Sequence, residues 1–162
     1  MTHPHEQLIH QLYTSFQVKD WKGMQAVYHP EAVFDDPAFA HLSSKEVKAM
    51  WHMLVAASTD LKVMYDHVKV NGDQGKCQWQ AWYTFSKTKR PVHNKISASF
   101  LFKDGLIIQH HDSFNLWKWS QMALGPVGLL LGWSPWMGHK VKAMARQNLD
   151  SFIQKNPNYQ EN

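Results

Sequence analysis

The hydrophobic pattern of this chain changes its period once, at about Thr59, and this change restricts the fold more than any other feature. Before it, apolar residues recur at three- and four-residue steps, which predicts amphipathic helices. After it, Leu61, Val63 and Tyr65 alternate with polar residues, which is typical of half-buried strands. Helices followed by long strands predict an α+β fold rather than a doubly wound sheet.

The predicted strands are long and are joined by tight turns. Asn71-Gly72-Asp73 and Asp104-Gly105 are hairpin signals, so neighbouring strands are expected to pair antiparallel. The alternation slips out of phase between Tyr65 and Val68, which indicates a bulge near His67 that bends the strand. We therefore predict a cone-shaped, curved antiparallel sheet packed on N-terminal helices around an apolar pocket.

The helices that precede the sheet carry recognisable capping signals. Ser43 and Glu46 have the spacing of a capping box, which predicts the start of a helix that covers the sheet. Asp20 is predicted to cap a short helix that includes Tyr28 and is stopped by Pro30. The apolar stripe predicted for the first helix consists of Leu8, Ile9, Leu12, Tyr13 and Phe16.

The chain is predicted to be one domain over residues 1–162, with a core at about 8–117 and a C-terminal helical extension at 118–156. The last strand is predicted at residues 106–116, and an amphipathic helix at 139–154 follows a Gly- and Trp-rich segment. This extension fits a lid over the pocket, a homodimer interface or a membrane-surface contact. We favour the first two, so a homodimer is expected and a membrane surface is the less favoured partner.

Composition and charge exclude several classes of function. The single cysteine, Cys77, allows no intrachain disulfide, and the polar N-terminus lacks a signal-peptide core, so a cytoplasmic location is expected. The net charge of +4 is scattered rather than concentrated, which argues against a nucleic-acid partner. There is no phosphate loop, nucleophile elbow or dinucleotide fingerprint, so no cofactor is expected.

Two segments place carboxylates among apolar residues. Asp36 lies before Pro37 in a short strand predicted at residues 32–39, and His110 and Asp112 share one side of the last strand. Burial in an apolar cavity raises a carboxyl pKa, which suits acid–base chemistry. These three residues are the predicted catalytic groups. The predicted pocket lining consists of Tyr13, Phe34, Trp51, Trp79, Tyr83, Phe100 and Phe114.

Simpler interpretations of the same residues remain open. Asp35 or Asp36 can cap a turn before Pro37, and His110 with Asp112 can be a hydrogen-bonded structural pair. A metal site is the least favoured interpretation, because no second cluster of ligands at fixed spacing accompanies His110-His111-Asp112. The expected ligand is an apolar small molecule, either turned over by an isomerase, cyclase or hydrolase or bound without catalysis.

Three motifs resemble the nuclear transport factor two-like superfamily, which includes ketosteroid isomerase, limonene epoxide hydrolase and the SnoaL-like polyketide cyclases. They are Asp20-Trp21-Lys22-Gly23-Met24, the run from Pro30 to Pro37, and Lys103-Asp104-Gly105 leading into His110-His111-Asp112. The resemblance covers about residues 8–116. It implies a cone-shaped fold, an apolar ligand pocket and, in many members, a homodimer.

The resemblance also implies roles for individual residues. Asp36 matches the general base of ketosteroid isomerase, but the oxyanion-donor positions fall on Leu12 and Ala98. Asp112 matches the last-strand Asp of limonene epoxide hydrolase, whose other two catalytic positions fall near Trp79 and Ala81. The spacing of His110 and Asp112 fits the SnoaL-like proteins best. The chain thus keeps the family's carboxylates without either enzyme's full catalytic set.

Overall fold

The molecule folds as helices against one six-stranded sheet, in a computed structural model that describes residues 1–160. The last two residues of the predicted domain, Glu161 and Asn162, lie outside the described residues. The helices are α1 Pro4–Gln17, α2 Trp21–Gln25, α3 Ser44–Ala57, α4 Leu116–Leu124, α5 Pro126–Leu131 and α6 Pro135–Lys155, with a 3₁₀ turn at Pro157–Tyr159. The strands are β1 Tyr28–Asp35, β2 Leu42–Ser43, β3 Lys62–Asn71, β4 Gln74–Phe85, β5 Arg90–Lys103 and β6 Leu106–Ser113.

The sheet confirms the predicted α+β architecture and corrects one detail of it. Strands β3 to β6 form the predicted antiparallel meander. The sheet is nevertheless mixed, because β1 pairs in parallel with β6 and places the order at β2-β1-β6-β5-β4-β3. The bulge in β3 is confirmed: the register shifts between Asp66 and Lys69, and His67 has a positive φ of 52°. Such bulges bend the sheet around the helices.

The predicted capping signals are confirmed at both helices. Ser43 and Glu46 form a reciprocal capping box at α3, and the Asp20 side chain accepts from the Gly23 amide at α2. The short helix, however, ends at Gln25, and Tyr28 belongs to β1, so the prediction that Pro30 stops a helix is wrong. Pro30 lies where β1 loses register with β6, and an irregular strand tolerates a residue without an N–H.

The core lies between the inward face of the sheet and helices α1 and α3. Alternate residues of β5, from Val92 to Phe102, are buried as predicted. The α1 stripe packs mainly on β3 and β4, where the Tyr13 ring contacts Tyr65 and Trp79. The last strand ends at Ser113, three residues before the predicted end, because Asn115 caps α4 by accepting from the Lys118 amide. No helix within residues 1–160 is long and apolar enough to cross a bilayer.

Helix α5 lies directly on α4 through a glycine. A Cβ atom at Gly128 would overlap the carbonyl oxygen of Ser120, so the two backbones approach as closely as they do only without a side chain there. We expect Gly128→Ala to lower the free energy of unfolding by about 1–3 kcal/mol, since overpacking forces the backbones apart. Thermal unfolding measures this change.

Gly138 provides the matched control for that substitution. It lies within α6, and the nearest atom to an added Cβ is Leu116 Cδ2, at 3.9 Å. Gly138→Ala should therefore raise stability by about 0.5–1 kcal/mol through helix propensity. Equal effects of the two substitutions would contradict the close α4–α5 contact.

Candidate functional site

A cavity of about 480 Å³ opens between the sheet and helices α3, α4 and α6. Most of its wall is apolar and aromatic, and a cavity of this size suits a small organic ligand. Its principal apolar lining residues are Phe16, Met50, Trp51, Leu54, Trp79, Ile96, Phe114, Trp119, Val141 and Met144. Four polar side chains of the inner wall matter for chemistry: Asp36, Tyr83, Asn94 and Asp112.

Asp36 follows β1 and is held by one of its two carboxyl oxygens. Oδ1 accepts from the backbone amides of Ala38 and Phe39, at 2.7 and 2.6 Å, in the turn before α3. Oδ2 has no hydrogen-bond partner within residues 1–160. Burial raises the pKa of Asp36 to about 7, against the two amide bonds that lower it, and the nearby charge of Asp112 adds to the rise. Asp36 therefore caps a turn and also presents a titrating carboxyl to the cavity.

Asp112 is held in the same way, through one oxygen, near the end of β6. Its Oδ1 accepts from Trp79 Nε1 at 3.3 Å and lies 2.9 Å from His110 Nε2. Among the described residues, Oδ2 has no partner. The carboxyl is almost completely buried in the protein but borders the cavity. Two carboxyls thus face one apolar space, each anchored by one oxygen and open at the other.

His110 lies behind Asp112 in a continuous hydrogen-bonded row. Trp51 Nε1 donates to the Tyr28 hydroxyl at 2.9 Å, and that hydroxyl lies 2.8 Å from His110 Nδ1. If Tyr28 donates to Nδ1, the neutral imidazole carries its proton on Nε2 and donates to Asp112, which satisfies every group in the row. His110 is fully buried and does not line the cavity, so it reaches the cavity only through Asp112.

Tyr83 and Asn94 add hydrogen-bonding capacity beside the carboxyls. The Tyr83 hydroxyl accepts from Trp119 Nε1 at 2.8 Å, and within residues 1–160 nothing accepts its proton. Burial raises the pKa of Tyr83, and the charge of Asp36 contributes to that rise. Asn94, on the inward face of β5, pairs in register with Ala81 and makes no side-chain hydrogen bond with the described residues. Both groups can donate to a ligand.

The predicted pocket residues divide into two groups. Trp51, Trp79, Tyr83 and Phe114 line the cavity. Tyr13, Phe34 and Phe100 lie behind the wall in the core, where Phe34 and Phe100 pack on the His110 ring at 4.9 and 4.5 Å. Of the three predicted catalytic groups, the cavity brings together Asp36 and Asp112, while His110 supports the second.

Three residues of the site escaped sequence reasoning. Tyr28 was assigned to a helix, so its contact with a strand 82 positions later could not be foreseen. Trp119 lies on α4, within the predicted helical extension, but no local pattern indicated its contact with Tyr83. Asn94 had a usable signal, since it is the one polar residue on the otherwise apolar inward face of β5.

The described residues offer no metal centre. Within residues 1–160, no group of three or more His, Cys, Asp or Glu side chains is arranged to hold a metal ion. His110 and Asp112 are joined to each other, and His111 points to the exposed face of the sheet.

Comparison with known proteins finds one matching family and many similar folds. The model of the SnoaL-like domain family matches residues 9–110. No curated protein matches the sequence. An inferred SnoaL-like polyketide cyclase from Jannaschia sp. CCS1 superimposes with a TM-score of 0.66 at 13% identity, over 76% of this chain and 93% of that one.

Two further structures extend this similarity. An epoxide hydrolase of the limonene epoxide hydrolase type from M. tuberculosis has a TM-score of 0.63 at 14% identity and covers 79% of this chain and 96% of its own. TerC, crystallised with polyporic acid, has a TM-score of 0.59 at 16% identity and covers 70% of this chain and 92% of its own. At these identities the similarity establishes the fold.

Proposed function

Because this chain belongs to the SnoaL-like family, we propose that it is an acid–base enzyme that removes a proton from a carbon beside the carbonyl group of an apolar small molecule. One observation carries the proposal: Asp36 and Asp112 face the same apolar cavity, each with one anchored oxygen and one unpaired oxygen. The similar fold of an inferred polyketide cyclase supports this class of reaction, since ring closure of a polyketide begins with such a proton removal.

Asp36 is the proposed general base. With a pKa of about 7, it is partly ionised at neutral pH and can both take and return a proton. Its Oδ2 takes the proton from the carbon, and the C–H electron pair moves through the new C=C bond onto the carbonyl oxygen. The resulting enolate either regains a proton at carbon or attacks a second carbonyl of the same molecule.

Tyr83 is the proposed donor to the developing enolate oxygen, with Asn94 beside it. The positions that supply oxyanion donors in ketosteroid isomerase are the apolar Leu12 and Ala98 here, so that role needs other groups. Tyr83 accepts from Trp119 and keeps its own proton free, and it lies close enough to Asp36 to sense its charge. A donor beside the base in a dry cavity stabilises the charge that develops in the transition state.

Asp112 is the proposed second proton carrier, and His110 is a positioning residue. The unpaired Oδ2 of Asp112 can take a proton from the substrate and then return it to the enolate or to a leaving oxygen. His110 and Trp79 fix the orientation of the carboxyl through Oδ1.

Deuterium exchange into an enolisable bicyclic ketone tests this function without knowledge of the substrate. The wild-type protein should accelerate exchange at the carbon beside the carbonyl of 2-tetralone in D₂O, followed by NMR. Asp36→Asn should slow that exchange by about 100-fold, and Tyr83→Phe by about tenfold, as typical of a general base and an oxyanion donor. The wild-type rate should rise with pH and level off above about pH 7, where Asp36 is ionised.

Asp35→Asn is the matched control, because Asp35 adjoins Asp36, accepts from the His41 amide and does not line the cavity. Above about pH 7, where Asp36 is ionised in both proteins, its exchange rate should equal that of the wild type. A wild-type protein that binds 2-tetralone, detected by saturation transfer, but exchanges no faster than buffer would favour the alternative of a non-catalytic binding module. Exchange that survives Asp36→Asn would remove Asp36 from the mechanism.

A further inference from the structure

A ridge of large apolar side chains stands on the outside of the C-terminal helices. Its members are Trp117, Val127, Leu129, Leu130, Leu131, Trp133 and Trp136, and each exposes between 41% and 69% of its surface. All belong to α4, α5 or the first turn of α6, except Trp133, which lies in the connection between α5 and α6. Soluble monomers seldom expose large apolar side chains in such a continuous group, and those that do use them for binding.

Close helix packing and hydrogen bonds hold the ridge in place. Helix α5 packs on α4 through Gly128, and the four other residues from Val127 to Leu131 are all exposed. The Trp117 indole donates to the Leu129 carbonyl at 3.2 Å, and the Trp133 indole donates to the Leu130 carbonyl at 2.8 Å. The indole N–H groups of Trp117 and Trp133 are therefore satisfied within the ridge.

The charged residues within the segment that carries the ridge, residues 113–149, have one sign. Residues 113–149 contain no Asp or Glu, and they carry Lys118, Lys140, Lys142 and Arg146. Arg146 pairs with Glu46 and Asp150, whereas no ion pair within residues 1–160 involves the three lysines. Lys140 lies over the Trp136 ring, with Nζ 4.6 Å from its centroid.

The basic turn between β4 and β5 adjoins the same helices. Arg90 Nε donates to the Met122 carbonyl at 3.0 Å, and Thr88 bonds to the Ala123 carbonyl, so Lys87 and Lys89 lie on this side of the molecule. No ion pair within the described chain involves Lys87, Lys89 or Arg90. Cations from two separate parts of the sequence therefore lie at or beside the C-terminal helices that carry the ridge.

We propose that the ridge docks this protein on the surface of a lipid bilayer that contains anionic lipids. Leu and Val side chains would enter the acyl boundary, Trp rings would lie at the headgroup level, and the surrounding lysines would contact lipid phosphates. A second copy of the chain is a poorer occupant, because a two-fold contact would bring these cations together with no acid in residues 113–149 to pair them. Leu116, Trp119, Val141 and Met144 of α4 and α6 line the cavity, so docking also brings the cavity wall to the lipid surface.

Vesicle flotation with the full chain tests this proposal. The wild type should float with phosphatidylcholine vesicles that contain about 30 mol% phosphatidylglycerol, and at least tenfold less with phosphatidylcholine alone. Raising NaCl from about 0.1 to about 0.5 M should release much of the bound protein, since salt screens surface charges. Leu130→Glu should reduce the bound fraction at least tenfold, and the charge reversal Lys140→Glu with Lys142→Glu should reduce it comparably.

Met64→Glu is the matched control, because Met64 is a 50% exposed apolar residue on β3 and receives the same new charge. It should float like the wild type, and the unfolding temperatures of all variants should agree with that of the wild type, since each substituted side chain is exposed. Failure of the wild type to float overturns the proposal, as does flotation that Leu130→Glu leaves intact. A dimer in light scattering that Leu130→Glu dissociates, without vesicle binding, would assign the ridge to a second copy instead.

Discussion

His110→Ala is expected to lower the free energy of unfolding by about 3–5 kcal/mol, the cost typical of breaking a buried, paired polar group and leaving a cavity. His110 is completely buried, and four aromatic rings, those of Tyr28, Phe34, Trp51 and Phe100, pack around its imidazole. Removal of the ring leaves space in a close-packed region that cannot collapse freely, because the surrounding rings are large.

The polar part of the loss comes from the row of hydrogen bonds that passes through the imidazole. Without His110, the Tyr28 hydroxyl loses a hydrogen-bond partner and Asp112 Oδ1 keeps only the longer bond from Trp79. An unpaired buried polar group costs about 1–3 kcal/mol, and more when the group is charged. The cost of the unpaired polar groups adds to the cost of the cavity. This substitution should therefore be among those that lower the stability of the core most.

His111→Ala is the matched control for this prediction. It removes the same side chain from the next position of β6, but His111 lies on the exposed face of the sheet. Its effect should stay within about 0.5 kcal/mol, as for other surface substitutions. Denaturant unfolding of both variants gives the comparison, and similar losses would mean that the buried row contributes little.

Features of the fold that depend on local sequence patterns could be predicted from the sequence. Strand β5 was predictable because its inward residues, from Val92 to Phe102, alternate without interruption, and alternation is a local property. The α3 capping box was predictable for the same reason, since Ser43 and Glu46 are three residues apart. The bulge at His67 left its trace as a local change of phase.

Contacts between distant segments left no such trace. The parallel pairing of β1 with β6 joins residues about 80 positions apart. The hydrophobic pattern of each strand does not indicate which other strand it pairs with. Pro30 pointed to a helix end, since proline stops helices more often than it occupies strands, and so Tyr28 was separated from His110. Phe34 and Phe100 are predicted to line the pocket but lie behind its wall, because whether an inward residue borders the cavity depends on the three-dimensional packing.

Asp36→Asn is expected to stabilise the protein at alkaline pH and to leave it nearly unchanged in acid. Burial raises the pKa of Asp36 from 3.8 to about 7 in the folded protein, because the apolar cavity disfavours the charged form. A rise of about three in the pKa corresponds to a change of at most about 4 kcal/mol in the free energy of unfolding. Relaxation of the protein and water in the cavity reduce this value. We therefore expect the stability of the wild type relative to Asp36→Asn to fall by about 2 kcal/mol between pH 5 and pH 8.

The sign follows from proton binding. Between pH 4 and pH 7 the folded protein holds a proton on Asp36 that the unfolded chain has released, so its stability falls as the pH rises through this range. The contribution of the protonated carboxyl is fully present below about pH 4 and is lost above about pH 7. Asparagine cannot ionise, so Asp36→Asn should lose this part of the pH dependence, and its unfolding temperature should exceed the wild-type value by several degrees at pH 8.

Asp36→Ala separates the charge from the turn cap. Asparagine keeps an Oδ1 that can accept from the Ala38 and Phe39 amides, whereas alanine removes this acceptor as well. The alanine variant should therefore be less stable than the asparagine variant by about 1–2 kcal/mol at every pH, as for a lost cap. A wild-type protein whose stability did not fall between pH 5 and pH 8 relative to Asp36→Asn would show that Asp36 is an ordinary ionised cap. A gain in stability on replacing Asp36, together with the loss of deuterium exchange, is the combination expected of a group kept for chemistry at a cost to the fold.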